Sequence, residues 1–450
     1  MKPSDFREHL NVVFIGHVDA GKSTLSGSML YHTGMVDQRT IDKYEREAKS
    51  LNRESWFLAF IMDTNDEERS KGKTVEVGRA EFNTDDRRFT VLDAPGHKSY
   101  VPNMIQGASQ ADVGVLVISA RRGEFETGFE RGGQTREHTL LAKTLGIRHL
   151  VVVVNKMDES TVLWSKERYD EIVQKLGQFL KKSGFKRAAV NFVPVSAMTG
   201  EGVKDPVPAA TAGWAAGMPS LLQILNGISV PGRDAKAPLR MPVLDRITDR
   251  GVIAMGKVET GTLYVGQRVV IAPMGTRAKV DSIRVGLDEE NFVEAAFPGD
   301  NVQVKLKGVS EEDVHKGFVV SDAGMPCTAP TRFQAQLQLM DLDYRNVFSA
   351  GYSAILHIHT AAEECTVAKI VKSFDSKGKE RPGAKFAKSN ETCVVNIELE
   401  RSTPLEKYET TQQLGRFTLR DEGRTIAIGK VTGVPKSAYD TAASWAVGRK

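Results

Sequence analysis

The chain runs to 450 residues, long enough for about three domains with real cores. A hydrophobic share of 40%, a charged share of 26% and a net charge of +4 describe an ordinary globular chain, and the charge permits an RNA partner without arguing strongly for one. No apolar run approaches the roughly 18 residues of a membrane span. The opening Met1-Lys2-Pro3-Ser4-Asp5-Phe6-Arg7-Glu8 lacks a signal-peptide core, and three scattered cysteines (Cys327, Cys365, Cys393) make neither a zinc set nor a disulfide framework, which suits a reducing cytosol.

The first apolar run, residues 11–15, reads as a buried strand, and residues 23–33 read as a helix. Between them lies Gly16-His17-Val18-Asp19-Ala20-Gly21-Lys22-Ser23, followed by Thr24, with the spacing G-x-x-x-x-G-K-S. The glycines allow a tight wrap whose N–H groups point at a β-phosphate, and the helix start adds partial positive charge. Lys22 would reach the β- and γ-phosphates and the Ser23 hydroxyl would bind Mg²⁺. The strand before and the helix after set this apart from a chance glycine turn.

Residues 34–73 form a polar stretch too long for a simple connection, with a helix expected over 39–48 and charge crowded at 66–74. A surface insertion is the plain reading. The functional one is a nucleotide-sensing switch in which Thr74 gives a second Mg²⁺-binding hydroxyl. Residues 78–82 and 89–92 form a hairpin whose second strand ends in Asp93-Ala94-Pro95-Gly96-His97. Asp93 supplies an acid for the Mg²⁺ shell, and the Gly96 N–H can meet the γ-phosphate. A neutral His97 imidazole beside it would orient the attacking water, although an isolated histidine is ordinarily a surface residue.

Strands follow at 113–120 and 150–154, with a helix from 134 between them. The second strand delivers Asn155-Lys156-Met157-Asp158. The Asp158 carboxylate can accept from guanine N1–H and the 2-amino group. Adenine would leave it unpaired, and sites of this kind discriminate by roughly 10⁴-fold. Asn155 can bond the base's other edge and the Lys156 stem can cover its face. Tyr169, Ile172, Val173, Leu176, Phe179 and Leu180 make an amphipathic helix of 167–182. The last strand, 191–195, ends at Ser196-Ala197-Met198, where backbone N–H groups can bond guanine O6. Strands alternating with helices predict a doubly wound, mostly parallel sheet, with the ligand at the strands' carboxyl ends.

Residues 204–234, rich in Ala, Gly and Pro, hold a closing helix at 220–225 and a linker. From 239 the texture turns to short strands with glycine turns, which predicts a small barrel ending near Asp322 and a second β-rich block over 331–434. The expected boundaries are a nucleotide-binding domain 1–235, barrels 236–328 and 329–435, and a loose tail 436–450. His357-Ile358-His359 has no third ligand nearby and reads as structural. The basic stretch 369–388 reads as a solvated hairpin or an RNA contact.

The three motifs and the barrel pair resemble the translational GTPases of the elongation factor family over residues 11–434. Within it, Gly72-Lys73-Thr74-Val75-Glu76-Val77-Gly78-Arg79-Ala80, His97-Lys98-Ser99-Tyr100-Val101-Pro102-Asn103-Met104-Ile105 and residues 415–430 are similar to the class II release-factor branch. The ribosome-rescue GTPases are close in most of these segments, whereas aminoacyl-tRNA carriers usually have Ile-Thr-Ile where Lys73-Thr74-Val75 stands. The wording of 207–216 departs from the family's.

The resemblance implies an α/β P-loop GTPase domain followed by two β-barrel domains. It implies GTP/GDP and Mg²⁺ as cofactors and hydrolysis stimulated by the ribosome, through its rRNA and GTPase-activating centre. It also implies a class I release factor as partner, a cytoplasmic monomer in isolation, and no membrane or DNA contact. The partner would dock on the third domain, where Arg416 and Arg420 lie in a charge-dense segment that also fits a solvated hairpin.

Overall fold

The structure, a computed structural model, describes residues 7–62, 74, 76–130, 133–230, 232–248, 251–288, 290–340, 342, 347–375, 378–381 and 383–435. The expected charged stretch before Thr74 and the tail 436–450 lie outside the described residues. Two compact units are present, Asp5–Pro231 and the part from Gly232 onward. No helix among the described residues is long and apolar enough to cross a membrane.

The first unit is built on six strands, β1 (Glu8–Gly16), β2 (Gly78–Asn83), β3 (Arg87–Asp93), β4 (Val113–Ser119), β5 (His149–Asn155) and β6 (Val190–Pro194). They lie in the order β2-β3-β1-β4-β5-β6. All pairs are parallel except β2 with β3, the predicted hairpin. The helices are α1 (Lys22–His32), α2 (Gln38–Ser50), α3 (Val101–Gln110), α4 (Glu124–Phe129), α5 (Gln134–Leu145), α6 (Lys166–Lys182) and α7 (Leu221–Gly227).

The central strands β4 and β5 are near-continuous apolar runs because helices cover both faces. Successive residues alternate between two cores. Val12, Phe14, Val115, Val117, Val151 and Val153 pack with Leu25 and Met29 of α1 and Leu221 and Leu225 of α7. Val13, Ile15, Leu116, Ile118, Val152 and Val154 pack with Met104 of α3, Leu141 of α5 and Ile172 and Leu176 of α6. Sequence reading missed α3 and α4. The first starts with Pro102 inside its opening turn, and the second is one and a half turns long, too short to show a period.

The second unit holds two barrels. The first comprises β7 (Arg240–Thr248), β8 (Val252–Lys257), β9 (Leu263–Tyr264), β10 (Arg268–Ala272), β11 (Thr276–Val285), β12 (Phe292–Val293), β13 (Ala295–Ala296), β14 (Asn301–Lys307) and β15 (Val319–Asp322). The circuit β10-β15-β7-β8-β14-β11 closes through β10–β11 pairing, giving six antiparallel strands. The second comprises β16 (Arg332–Leu339), β17 (Phe348–Ser349), β18 (Ser353–Ile358), β19 (Ala361–Phe374), β20 (Glu380–Arg381), β21 (Phe386–Ala387), β22 (Thr392–Leu399), β23 (Arg416–Asp421) and β24 (Arg424–Gly433). Its circuit β18-β23-β24-β16-β22-β19 closes through β18–β19. Strict alternation fills the interior: Phe333, Ala335, Leu337 and Leu339 of β16 point in with Cys393, Val395 and Ile397 of β22.

The two barrels are joined by a buried ion pair. The Arg240 guanidinium donates Nε to Glu406 Oε1 at 2.7 Å, with Nη2 2.6 Å from the same oxygen. Its Nη1 donates to Leu239 O at 2.8 Å and Met325 O at 2.9 Å, and Thr411 Oγ1 donates to Glu406 Oε2. Ala272 and Val319 of the first barrel pack with Cys327 and Leu414, and Thr360 Oγ1 of the second barrel donates to Val243 O of the first at 2.7 Å. Removing one member strands the other charge away from water. Arg240→Ala should therefore cost the barrel unit about 3–5 kcal/mol, read as an earlier unfolding transition in urea.

Candidate functional site

The loop from Gly16 to Lys22 bridges the end of β1 and the start of α1, as the spacing predicted. Lys22 is 6% exposed and its Nζ donates to His17 O at 2.9 Å, so the ammonium is held across the loop's own mouth. Burial, reinforced by the Lys22 charge, pushes the His17 imidazole below its ordinary value. Gly21 has φ 89°, and a Cβ there would lie 2.4 Å from Asn155 Nδ2. The left-handed turn and the close approach both require glycine.

Thr74 and the residues after β3, Gly96 and His97, line the same cleft as Ser23, whereas the buried Asp93 does not line it. Ser23 Oγ and Thr74 Oγ1, 51 positions apart, meet at 3.1 Å. Asp93 is fully buried at the end of β3. Gly96 lies against the loop so closely that a Cβ would sit 2.4 Å from Lys22 Nζ and 3.1 Å from Val18 N. His97 begins the turn Lys98–Tyr100, and its Nδ1 accepts from Ser99 N at 3.3 Å. With Nδ1 accepting, Nε2 is the ring nitrogen that donates. Two hydroxyls and a carboxylate are the hard oxygen donors that suit Mg²⁺.

A cleft of about 640 Å³ runs from this point to the end of β5, a size typical of small-ligand sites. Val18, Asp19, Gly21, Lys22, Ser23, Thr24, Thr74, Gly96 and His97 line one end, and Asn155, Lys156, Asp158, Ala197 and Met198 the other. Asn155 takes a role beyond the expected base contact. Its side chain is 1% exposed, donates Nδ2 to Ala20 O at 3.0 Å and accepts through Oδ1 from Ala197 N at 3.0 Å. The amide therefore ties the phosphate loop to the end of β6, and these two bonds leave the second N–H of Nδ2 uncommitted beside the cleft that Asn155 lines. For the same reason the Ala197 N–H is already donated. The Ser196 N–H is given to Glu201 O at 3.0 Å.

Six lining residues escaped the sequence reading: Ser55, Trp56, Ala59, Arg121, Glu124 and Glu159. Arg121 and Glu124 follow the carboxyl end of β4, and that position on a parallel sheet was the signal available for them. Trp56, stacked 4.3 Å under the Arg53 guanidinium, belongs to a segment without a recognisable motif.

Arg416 and Arg420 lie in the other unit and differ from each other. Arg416 is half-buried, with its guanidinium 5.5 Å from the Tyr408 ring and Nη2 donating to Gln412 Oε1 at 3.3 Å. Arg420 is 4% exposed and donates to Thr425 Oγ1 at 2.9 Å and Gly423 O at 2.5 Å. It braces the turn between β23 and β24, so the expectation of a partner contact at Arg420 is corrected: a side chain inside the barrel wall has no surface to offer. His357 ends up on β18 and His359 beyond its end with φ 38°. Burial pushes both down to about 4, and no group of three His, Cys, Asp or Glu side chains that could hold a metal ion occurs among the described residues.

Asn155→Ala should detach the phosphate loop from β6 and leave the Ala197 N–H unpaired. The expected result is weaker binding of guanine nucleotides, by about 1–3 kcal/mol, measured by titration calorimetry.

Residues 7–249 match the family described as Elongation factor Tu GTP binding domain, 251–321 match Elongation factor Tu domain 2, and 332–432 match GTP-eEF1A C-terminal domain-like. The eukaryotic peptide chain release factor GTP-binding subunit of Debaryomyces hansenii is 48% identical over 432 residues, covering 95% of this chain and 61% of that protein. Its counterpart in Schizosaccharomyces pombe is 49% identical over 431 residues, covering 95% and 64%. The chain thus spans about three-fifths of the length of these relatives. The crystal structure of the S. cerevisiae Ski7 GTPase-like domain bound to GTP matches at a TM-score of 0.77 and 18% identity over 95% of this chain and 97% of that one, a likeness of fold alone. With the first family model covering more than half of the 450 residues, and its motifs meeting in one cleft, the chain belongs to the translational GTPases of the elongation factor Tu type.

Proposed function

We propose that this chain is the GTP-binding subunit of a translation termination complex. It binds GTP with Mg²⁺ and accompanies the stop-codon-reading class I release factor to the ribosome in the cytoplasm. Hydrolysis, stimulated by the ribosome's GTPase-activating centre, then frees that partner for peptide release. The observation that carries the chemistry is the meeting of the Ser23 and Thr74 hydroxyls at 3.1 Å beside a phosphate loop closed by Gly96. The identity of 48–49% to proteins bearing the release-factor name supports the biological role.

Ser23, Thr74 and Asp93 would hold Mg²⁺, which when bound would supply positive charge to offset that of the phosphates. The loop N–H groups and Lys22 take the phosphates, and the Gly96 N–H meets the γ-phosphate. The His97 ring orients the water. Asp158 reads guanine, and the stem of Lys156 covers the base.

Two variants test the site. Asp158→Asn should lose most of a roughly 10⁴-fold preference for guanine and accept xanthosine triphosphate in competition binding. An unchanged preference would remove Asp158 as the base reader. His97→Ala should keep GTP affinity while ribosome-stimulated turnover drops about 10²–10⁴-fold. Lost affinity with intact turnover would reverse the assignment.

The partner surface is proposed around Arg416, where the Tyr408 ring carries the Arg416 guanidinium at 5.5 Å and the Lys430 ammonium at 4.6 Å. Arg416→Glu should weaken capture of the class I release factor by about 2–5 kcal/mol while GTP affinity stays the same. Capture of the ribosome-rescue paralogue alone by the wild-type chain would overturn the termination role.

A further inference from the structure

Glu124 opens α4 and lines the cleft without belonging to any of the three motifs. Its Oε2 accepts from Lys156 Nζ at 2.9 Å and from Ser119 Oγ at 2.7 Å, and its Oε1 accepts from Arg121 Nη1 at 3.2 Å. Burial raises the Glu124 carboxyl, but hydrogen bonds from Lys156 and Ser119 and the charges of Lys156 and Arg121 outweigh it. The net effect holds the group below the ordinary carboxylate range, so it is ionised at neutral pH.

Both sides of this pair are fixed. Lys156 has φ 61°, a left-handed conformation that few non-glycine residues adopt and that its surroundings must hold. The loop carrying Glu124 is tied down from behind. Gly123 N donates to Glu126 Oε2 at 2.7 Å, and the buried Arg168 donates Nε to Ala120 O at 2.8 Å and Nη1 to Glu126 Oε1 at 2.9 Å.

We propose that Glu124 is a positioning residue for the base. It clamps the Lys156 ammonium so that the methylene stem stays over the face of guanine, and thereby sets how long a nucleotide remains bound. This deepens the guanine-nucleotide reading of the cleft and rests on it. An unclamped lysine samples many rotamers with a hydrated head, and each binding event would have to order it afresh. GTP and GDP present the same base, so the clamp acts on both equally, unlike any contact to the γ-phosphate.

The test is stopped-flow dissociation of fluorescent GDP and GTP from the full chain. Glu124→Ala should speed loss of both nucleotides about tenfold. Glu124→Gln, which keeps the shape and a weaker hydrogen bond, should speed it about threefold. In a Lys156→Met background, where the stem remains and the ammonium is gone, Glu124→Ala should add less than about twofold. An undiminished tenfold effect in that background, or unchanged dissociation in the single variants, overturns the clamp. Failure of the wild-type chain to bind either nucleotide would instead overturn the reading of the cleft itself.

Discussion

The side-chain amide of Asn155 is the interaction on which the site depends. It accepts from the end of β6 through Ala197 N and donates to the phosphate loop through Ala20 O, both at 3.0 Å and out of contact with water. One planar group with a donor and an acceptor on opposite corners suits such a bridge, because each partner backbone group would otherwise be buried unsatisfied. Through it the loop after β1 and the end of β6 are tied to the same side chain. Gly21 has no side chain because the amide occupies that space.

The parallel sheet makes this arrangement reachable. Its strands run in one direction, so the segments after β1, β3, β4, β5 and β6 all emerge on one edge. Helices packed on both faces remove the strands from water, and the motifs sit at the ends of rigid elements, where small displacements are resisted. Gly96 against Lys22 and Thr74 against Ser23 bring the two nucleotide-sensing segments onto the loop.

The barrel unit follows a different logic. Closure into six-strand circuits leaves few free edges, and alternation of apolar and polar residues fills each interior. What joins the barrels is polar as well as apolar, and the Arg240–Glu406 pair is satisfied on nearly every side. A buried pair of this kind contributes little net stability over an apolar substitute but penalises any misalignment heavily, since a slipped partner leaves a bare charge. The interface is therefore specified more sharply than apolar packing alone would achieve.

Much of this was legible in the chain itself. The phosphate loop, the strand ending in Asp93, the sequence after β5 and the period-two strands of the barrels are local patterns, governed by backbone conformation and side-chain periodicity over a few residues. Tertiary structure decided how distant segments meet. The bridging role of Asn155 is not legible in sequence, because its two partners lie 135 and 42 positions away. Arg420 reads as a surface charge and is buried, because β23 places it within the barrel wall beside its own turn. Glu124 carries no motif and meets Lys156 from 32 positions away. Local spacing fixes what a backbone segment can do. The partner of a side chain is set by which other segments fold to within about 3 Å of it, and no short stretch of sequence contains that distance.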